Sequence, residues 1–388
     1  VSDAGEISAR VILAVVILVA GAWVLQEPLS EVAEQAEARR IDGRDLTALD
    51  DAESVIDWMR SHPDRVSLLV ASVGPDGAPF PAVPSVRHNV DEPRPVGTLA
   101  YLPALLVWAE NALPQSAGVP VSTWERWWLP GVREAFGHVD AMARLGFAPD
   151  SVSSRVSEQD IANAMARHAD PTAADWLLDH VGVEAFEAKV AALGMSRTSS
   201  PSSMLSRGLI TSPDDTAADL DARARQYLAE PFFREQVRDD LSLPGAERSW
   251  ETSLALLDLW PTSTAHDLSL VLRQVASATP RRGPLGRVAE VLGWPQASPG
   301  NADYLAMGGM SFVAPGVAAE VAYAREGGEP GRIVVLVLDD LAYRPWNSLA
   351  ERYPHQQVVR RLLDEPDLAA SLAASWGEGP NTTNVGDP

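Results

Sequence analysis

Hydrophobic and polar positions fall into distinct regimes along the chain. The first is one apolar run, Val11 to Leu25 (VILAVVILVAGAWVL), with Arg10 before it and Gln26, Glu27 and Pro28 after it. As a helix it reaches roughly 22 Å, short of the roughly 30 Å hydrocarbon core unless Ile7 to Arg10 and Gln26 extend it by snorkelling. Asp3, Glu6 and a single Arg make a poor signal-peptide leader, so an uncleaved membrane anchor over 11–26 is the leading reading. A cleaved signal ending near Ala20-Gly21-Ala22, or a buried core helix, are the alternatives. An anchor makes 1–10 a cytoplasmic stub and places the bulk of a single-pass protein outside the cell membrane. Residues 27–60, including EVAEQAEARR over Glu31 to Arg40, read as a solvated helical stalk or linker.

Beyond it the periodicity runs strands, then helices, then strands. Arg65 to Val73 is rich in β-branched residues and ends at the turn Gly74-Pro75-Asp76-Gly77, after which Ala78 to Asn89 reads as a proline-broken return strand. From Leu99 to about Leu292 the pattern is helical, with caps such as Ser157-x-x-Asp160. Tyr304 to Phe312, Ala318 to Arg325 and Arg332 to Leu338 read as strands, and His355 to Ala374 as one amphipathic helix. The fold class expected is α+β, with an antiparallel sheet built from both chain ends (61–97 and 303–365) plus an all-helical lobe (98–302). Together these form a domain over 61–365, and 366–388 is a helix end and a tail.

Composition narrows the chemistry. The chain is 46% hydrophobic, enough for a real core, and its formal charge of −22 repels phosphate backbones, so nucleic acid is not a partner. Without cysteine there are no disulfides, thiolate zinc sites or cysteine nucleophiles. No H-E-x-x-H, metal-ligand loop or Gly-rich phosphate loop is present, so no metal or other cofactor is expected. Every basic residue is arginine except Lys189.

Several segments together resemble the class A β-lactamase and penicillin-binding-protein superfamily of serine hydrolases, actinobacterial in type, over about residues 60 to 365. Pro95-Val96-Gly97-Thr98-Leu99-Ala100-Tyr101-Leu102-Pro103 falls on the pattern around S-x-x-K; Val121 to His138 is similar to the stretch before the helical core; Met165 to Leu178 is similar to the S-D-N helix; and Leu305 to Gly316 falls where the K-T-G strand belongs. The resemblance implies a β-lactamase/transpeptidase-like fold. It also implies a nucleophile activated by a lysine one helical turn on, with the other motifs completing the charge network.

Carried over position by position, the motifs are degenerate. Thr98 stands for the serine and Tyr101 for its lysine; Ala169, Asp170 and Pro171 stand for Ser-Asp-Asn; Met307, Gly308 and Gly309 stand for Lys-Thr-Gly. Losing one member of such a unit costs several orders of magnitude in rate. The expected function is a catalytically degenerate envelope protein that binds peptidoglycan fragments or a partner protein. The alternatives are an active serine/threonine hydrolase or acyltransferase with an atypical base, such as a Tyr101 phenolate, and a ligand-free membrane-tethered scaffold.

The plainer roles are structural. Thr98 suits a cap for a helix from Leu99 to Asn111, Asp170 a cap for Thr172 to Leu178, and Trp124, Trp127 and Trp128 a packing face. His138, His168 and Ser311 are the candidate binding groups nearest the motif remnants. Ser196 to Pro261 is long enough to hold an added helical pair.

Overall fold

The computed structural model describes residues 34–74, 86–111, 118–130, 138–147, 154–200, 203–210, 214–242, 249–255, 257–277, 283–294, 304–326 and 330–377. The apolar run 11–25, its stub, the tip of the first hairpin and the tail from 378 lie outside them. Among the described residues no helix is long and apolar enough to cross a membrane.

Five strands form one antiparallel sheet: β1 (Val66–Val73), β2 (Val86–His88), β3 (Tyr304–Ala314), β4 (Val317–Glu326) and β5 (Gly331–Leu338), in the order β2-β1-β5-β4-β3. The two ends of the chain meet in it, β1 pairing with β5 from Val66↔Leu338 to Val73↔Gly331. Helices cover both faces, which is why the central strand β5 (GRIVVLVL) is an unbroken apolar run instead of an alternating one. Its odd residues Ile333, Val335 and Val337 enter the core shared with the helical lobe. Its even residues Val334, Leu336 and Leu338 face the terminal helices. This is the α+β arrangement expected, with sheet from both ends and a helical lobe between.

The stalk reading fails from Ala52 onward. Asp51 caps the helix Ala52–Ser61 through a capping box with Ser54, and Val55, Ile56, Trp58 and Met59 are buried on one face of it. That spacing gives a helix packed against Pro354–Asp364 and Pro366–Ser375, and acidic residues interrupting the pattern hide it in the sequence. The preceding segment is docked as well. Glu34 pairs with Arg344, Asp42 accepts from Trp250 Nε1 at 3.1 Å, and Arg44 reaches Asp340 at 2.7 Å.

The last expected helix is also revised. Tyr343–Arg352, Pro354–Asp364 and Pro366–Ser375 are separate helices, the last two beginning on a proline, which fits a first turn but no helix interior.

Candidate functional site

The lead-in to the serine-like position is held rigidly. Arg94, 6% exposed, donates to Ser67 Oγ at 2.7 Å, the carbonyl of Asp64 at 2.8 Å and Glu92 at 2.8 Å. Arg94 and Pro95 pair antiparallel with Ser263 and Thr262, and the Val96 amide donates to Pro261 O. The chain then turns through Gly97, at φ +48°, into a tight 3₁₀ segment, Gly97–Tyr101, ahead of the helix Leu102–Asn111.

Every residue of that turn is buried. Thr98 is 0% exposed, and its Oγ1 has no hydrogen-bond partner among the described residues. It therefore caps nothing, contrary to the expectation, because it lies inside the 3₁₀ turn and not at the helix start. Phe312 of β3 closes the turn from above and packs against Trp260 with ring centroids 4.9 Å apart.

Tyr101 donates its hydroxyl to Asp175 at 3.2 Å. Burial, and then the Asp175 charge, push its pKa well above the ordinary phenol value. Burial thus holds the proton on Tyr101 more tightly than in water, which opposes a phenolate base at this position. Asp175 is fully committed, accepting also from the amides of Met204 and Leu205 at 2.7 and 2.6 Å and from Ser203 Oγ at 2.9 Å. Burial nonetheless raises its pKa to about 6 against those donors. Lys189 does not stand in for the missing lysine. It pairs with Glu110 at 2.6 Å, roughly 12 Å along the helix axis from Leu102.

At the S-D-N-like position, Ala169 takes the left-handed conformation (φ 48°, ψ 33°) that ends the helix Glu158–His168. Asp170, fully buried, accepts from the Thr172 amide at 2.9 Å and so caps the helix Pro171–Val181, as expected. Its second oxygen lies 3.0 Å from His138 Nδ1, and His138 packs edge-on against Trp124. Trp124 and Trp127 are core residues, as their spacing suggested. His168 is half-buried, and burial together with Arg144 lowers its pKa.

Phe312 of β3 meets the Thr98 turn at Gly97. Met307 packs toward the terminal helices, and Gly308 pairs with Gly293, where a Cβ would strike the Leu292 carbonyl at 2.3 Å. Ser311 points away from the Thr98 turn, and its Oγ lies 3.1 Å from His355 Nε2. Glu320 and His355, which complete that contact, went unnoticed in the sequence; a glutamate inside the apolar strand VAAEVAYA was the available signal.

Among these groups the geometry offers a sealed hydroxyl, a phenol held protonated by burial and a capping carboxylate. Residues 144–255 match the model of the β-lactamase enzyme family. The matched stretch contains Ala169-Asp170-Pro171 and ends before the K-T-G-like strand. No curated protein matches. Among solved structures the chain is similar to a β-lactamase from Desulfarculus baarsii (16% identity, TM-score 0.41, 79% of this chain and 97% of that one). It is similar also to PBP-A (11%, 0.46, 81% and 96%) and to a β-lactamase from Streptosporangium roseum (13%, 0.42, 81% and 98%).

Proposed function

We propose that this chain is a β-lactamase-like envelope protein, degenerate at the position where that family acts, which binds a peptidoglycan fragment or a partner protein. The observation that carries the reading is Thr98: a hydroxyl with no exposure, in a turn that Phe312 closes at Gly97 and without a lysine in reach, is no nucleophile for a β-lactam. The apolar run Val11 to Leu25 anchors the chain, and its folded bulk lies outside the membrane.

With the turn sealed, a ligand meets the outer surface. Two helices, Ala217–Ala229 and Pro231–Ser242, occupy the stretch where an added pair was expected, and the second presents Phe232 at 80% exposure. The net charge of −22 favours a partner with a basic face over another acidic protein.

The test is intact mass of the full chain after incubation with a fluorescent penicillin, followed by titration with muropeptides. An unmodified, folded protein that binds muropeptides or a purified envelope partner is the expected result. β-Lactam turnover that disappears in Thr98→Ala overturns the reading.

A further inference from the structure

The face of the sheet turned away from Thr98 carries a polar cluster inside an otherwise apolar layer. Ser311 on β3 and Glu320 on β4 stand directly opposite each other in register, so their side chains share that face. His355, in the first turn of Pro354–Asp364, packs against both: Nε2 is 3.1 Å from Ser311 Oγ and 4.0 Å from Glu320 Oε2. Their neighbours are Met307, Val313, Ala318 and Ala322.

Two features set this cluster apart from packing. Glu320 and His355 are 2% and 1% exposed, and Glu320 Oε2 and His355 Nδ1 have no hydrogen-bond partner among the described residues. Each such atom costs about 1–3 kcal/mol, a penalty that apolar side chains of similar volume avoid. Ser311 itself is only half-buried and lies on β3, the strand at the edge of the sheet. Its hydroxyl donates to Glu320 and lies against His355 Nε2, so it is backed by two buried groups able to take a proton.

We propose that Ser311 is a nucleophile, with His355 as its base and Glu320 as the countercharge, acting on short uncharged esters. The Ser311 oxygen bonds to the acyl carbon while its proton passes to His355 Nε2. The ester's alkoxide takes that proton and leaves as the alcohol, and water then releases the acid by the reverse path. Burial drives the His355 pKa down to about 3 and pushes Glu320 up to about 8; once Glu320 ionises in a mildly alkaline buffer, its charge 4.0 Å away makes the imidazole more basic again. Serine and glutamate both approach Nε2, unlike the two-sided arrangement of a Ser-His-Asp triad, so the carboxylate meets the charge directly and not through Nδ1.

The experiment treats the full chain with a small ethyl fluorophosphonate at pH 8.5 and maps the adduct by peptide mass. One adduct on Ser311 is expected, with fluoride released, no adduct in Ser311→Ala, and labelling at least tenfold slower in Glu320→Gln that remains folded by circular dichroism. No adduct on Ser311 in the folded chain overturns the proposal. So does labelling as fast in Glu320→Gln or in urea-unfolded chain. An adduct on Thr98 instead overturns both this inference and the reading above, whereas an adduct confined to Ser311 leaves the latter intact.

Discussion

Phe312 lies so close to Gly97 that a Cβ built on the glycine would come within 2.2 Å of its ring. The glycine also sits at φ +48°, where side chains are strained. Gly97→Ala is therefore expected to destabilise the fold by more than about 2 kcal/mol, since the ring must shift as well. Phe312→Ala is expected to cost about 3–5 kcal/mol by cavity formation, without making Thr98 reactive, because no base adjoins it. Urea denaturation reads the first two numbers and a penicillin-binding assay the third.

Asp175 and Tyr101 are unequal partners. Tyr101→Phe removes one of four donors to the carboxylate and should cost about 1 kcal/mol. Asp175→Ala leaves two backbone amides and two hydroxyls without an acceptor, and a loss of about 3–5 kcal/mol is expected. Equal losses in denaturant melts would show that the tyrosine, not the carboxylate, organises this junction.

Asp170 serves two neighbours, the Thr172 amide and His138. Asparagine caps a helix nearly as well as aspartate. Asp170→Asn should therefore cost less than Asp170→Ala, for which about 2–3 kcal/mol is expected. A thermal-shift comparison of the two variants separates the cap from the histidine contact.

The Glu320 and His355 pair makes stability depend on pH in opposite directions. Glu320, raised to about 8, holds its proton more tightly folded than unfolded; that contribution is complete below the ordinary carboxylate pKa and is lost as pH rises to about 8. His355, lowered to about 3, contributes above its ordinary 6.5 and loses that contribution as pH falls toward 3. Between pH 6.5 and 8 only the glutamate titrates, so stability should fall by up to about 1.4 kcal/mol per pH unit, and Glu320→Gln should flatten the slope. Urea melts across that window decide it.

Lys189 and Glu110 form a partly exposed pair, and Lys189→Ala is expected to cost less than about 1 kcal/mol. A large loss of any ligand binding in that variant would give the lone lysine a role that its position does not suggest.

Much of the fold was legible because it rests on periodicity. The continuous run of β5 and the helical block are local signals, and the sheet joining both chain ends follows from their order. The boundary near residue 52 is hard to read because the helix Ala52–Ser61 is half polar and short, and only its packing against the C-terminal helices makes it part of the domain. At the candidate site, Asp170 beside Pro171 announced its capping role in sequence, since proline fits a first helical position and an aspartate before it accepts from the free amides that follow. The positions of Phe312 over Gly97 and of His355 beside Ser311 could not be read, because each contact joins segments far apart in the chain and depends on which face of β3 a residue occupies. A one-residue change of register there exchanges the two faces.

The docking of Glu34 onto Arg344 bears on where such a protein can work. In the anchored arrangement proposed above, eight residues of sequence, 26–33, lie between the apolar run and the docked Glu34. Fully extended they span at most about 29 Å. An anchor there would moor the domain like a short-chained buoy in the layer next to the bilayer, and any partner would have to be found there or brought to it.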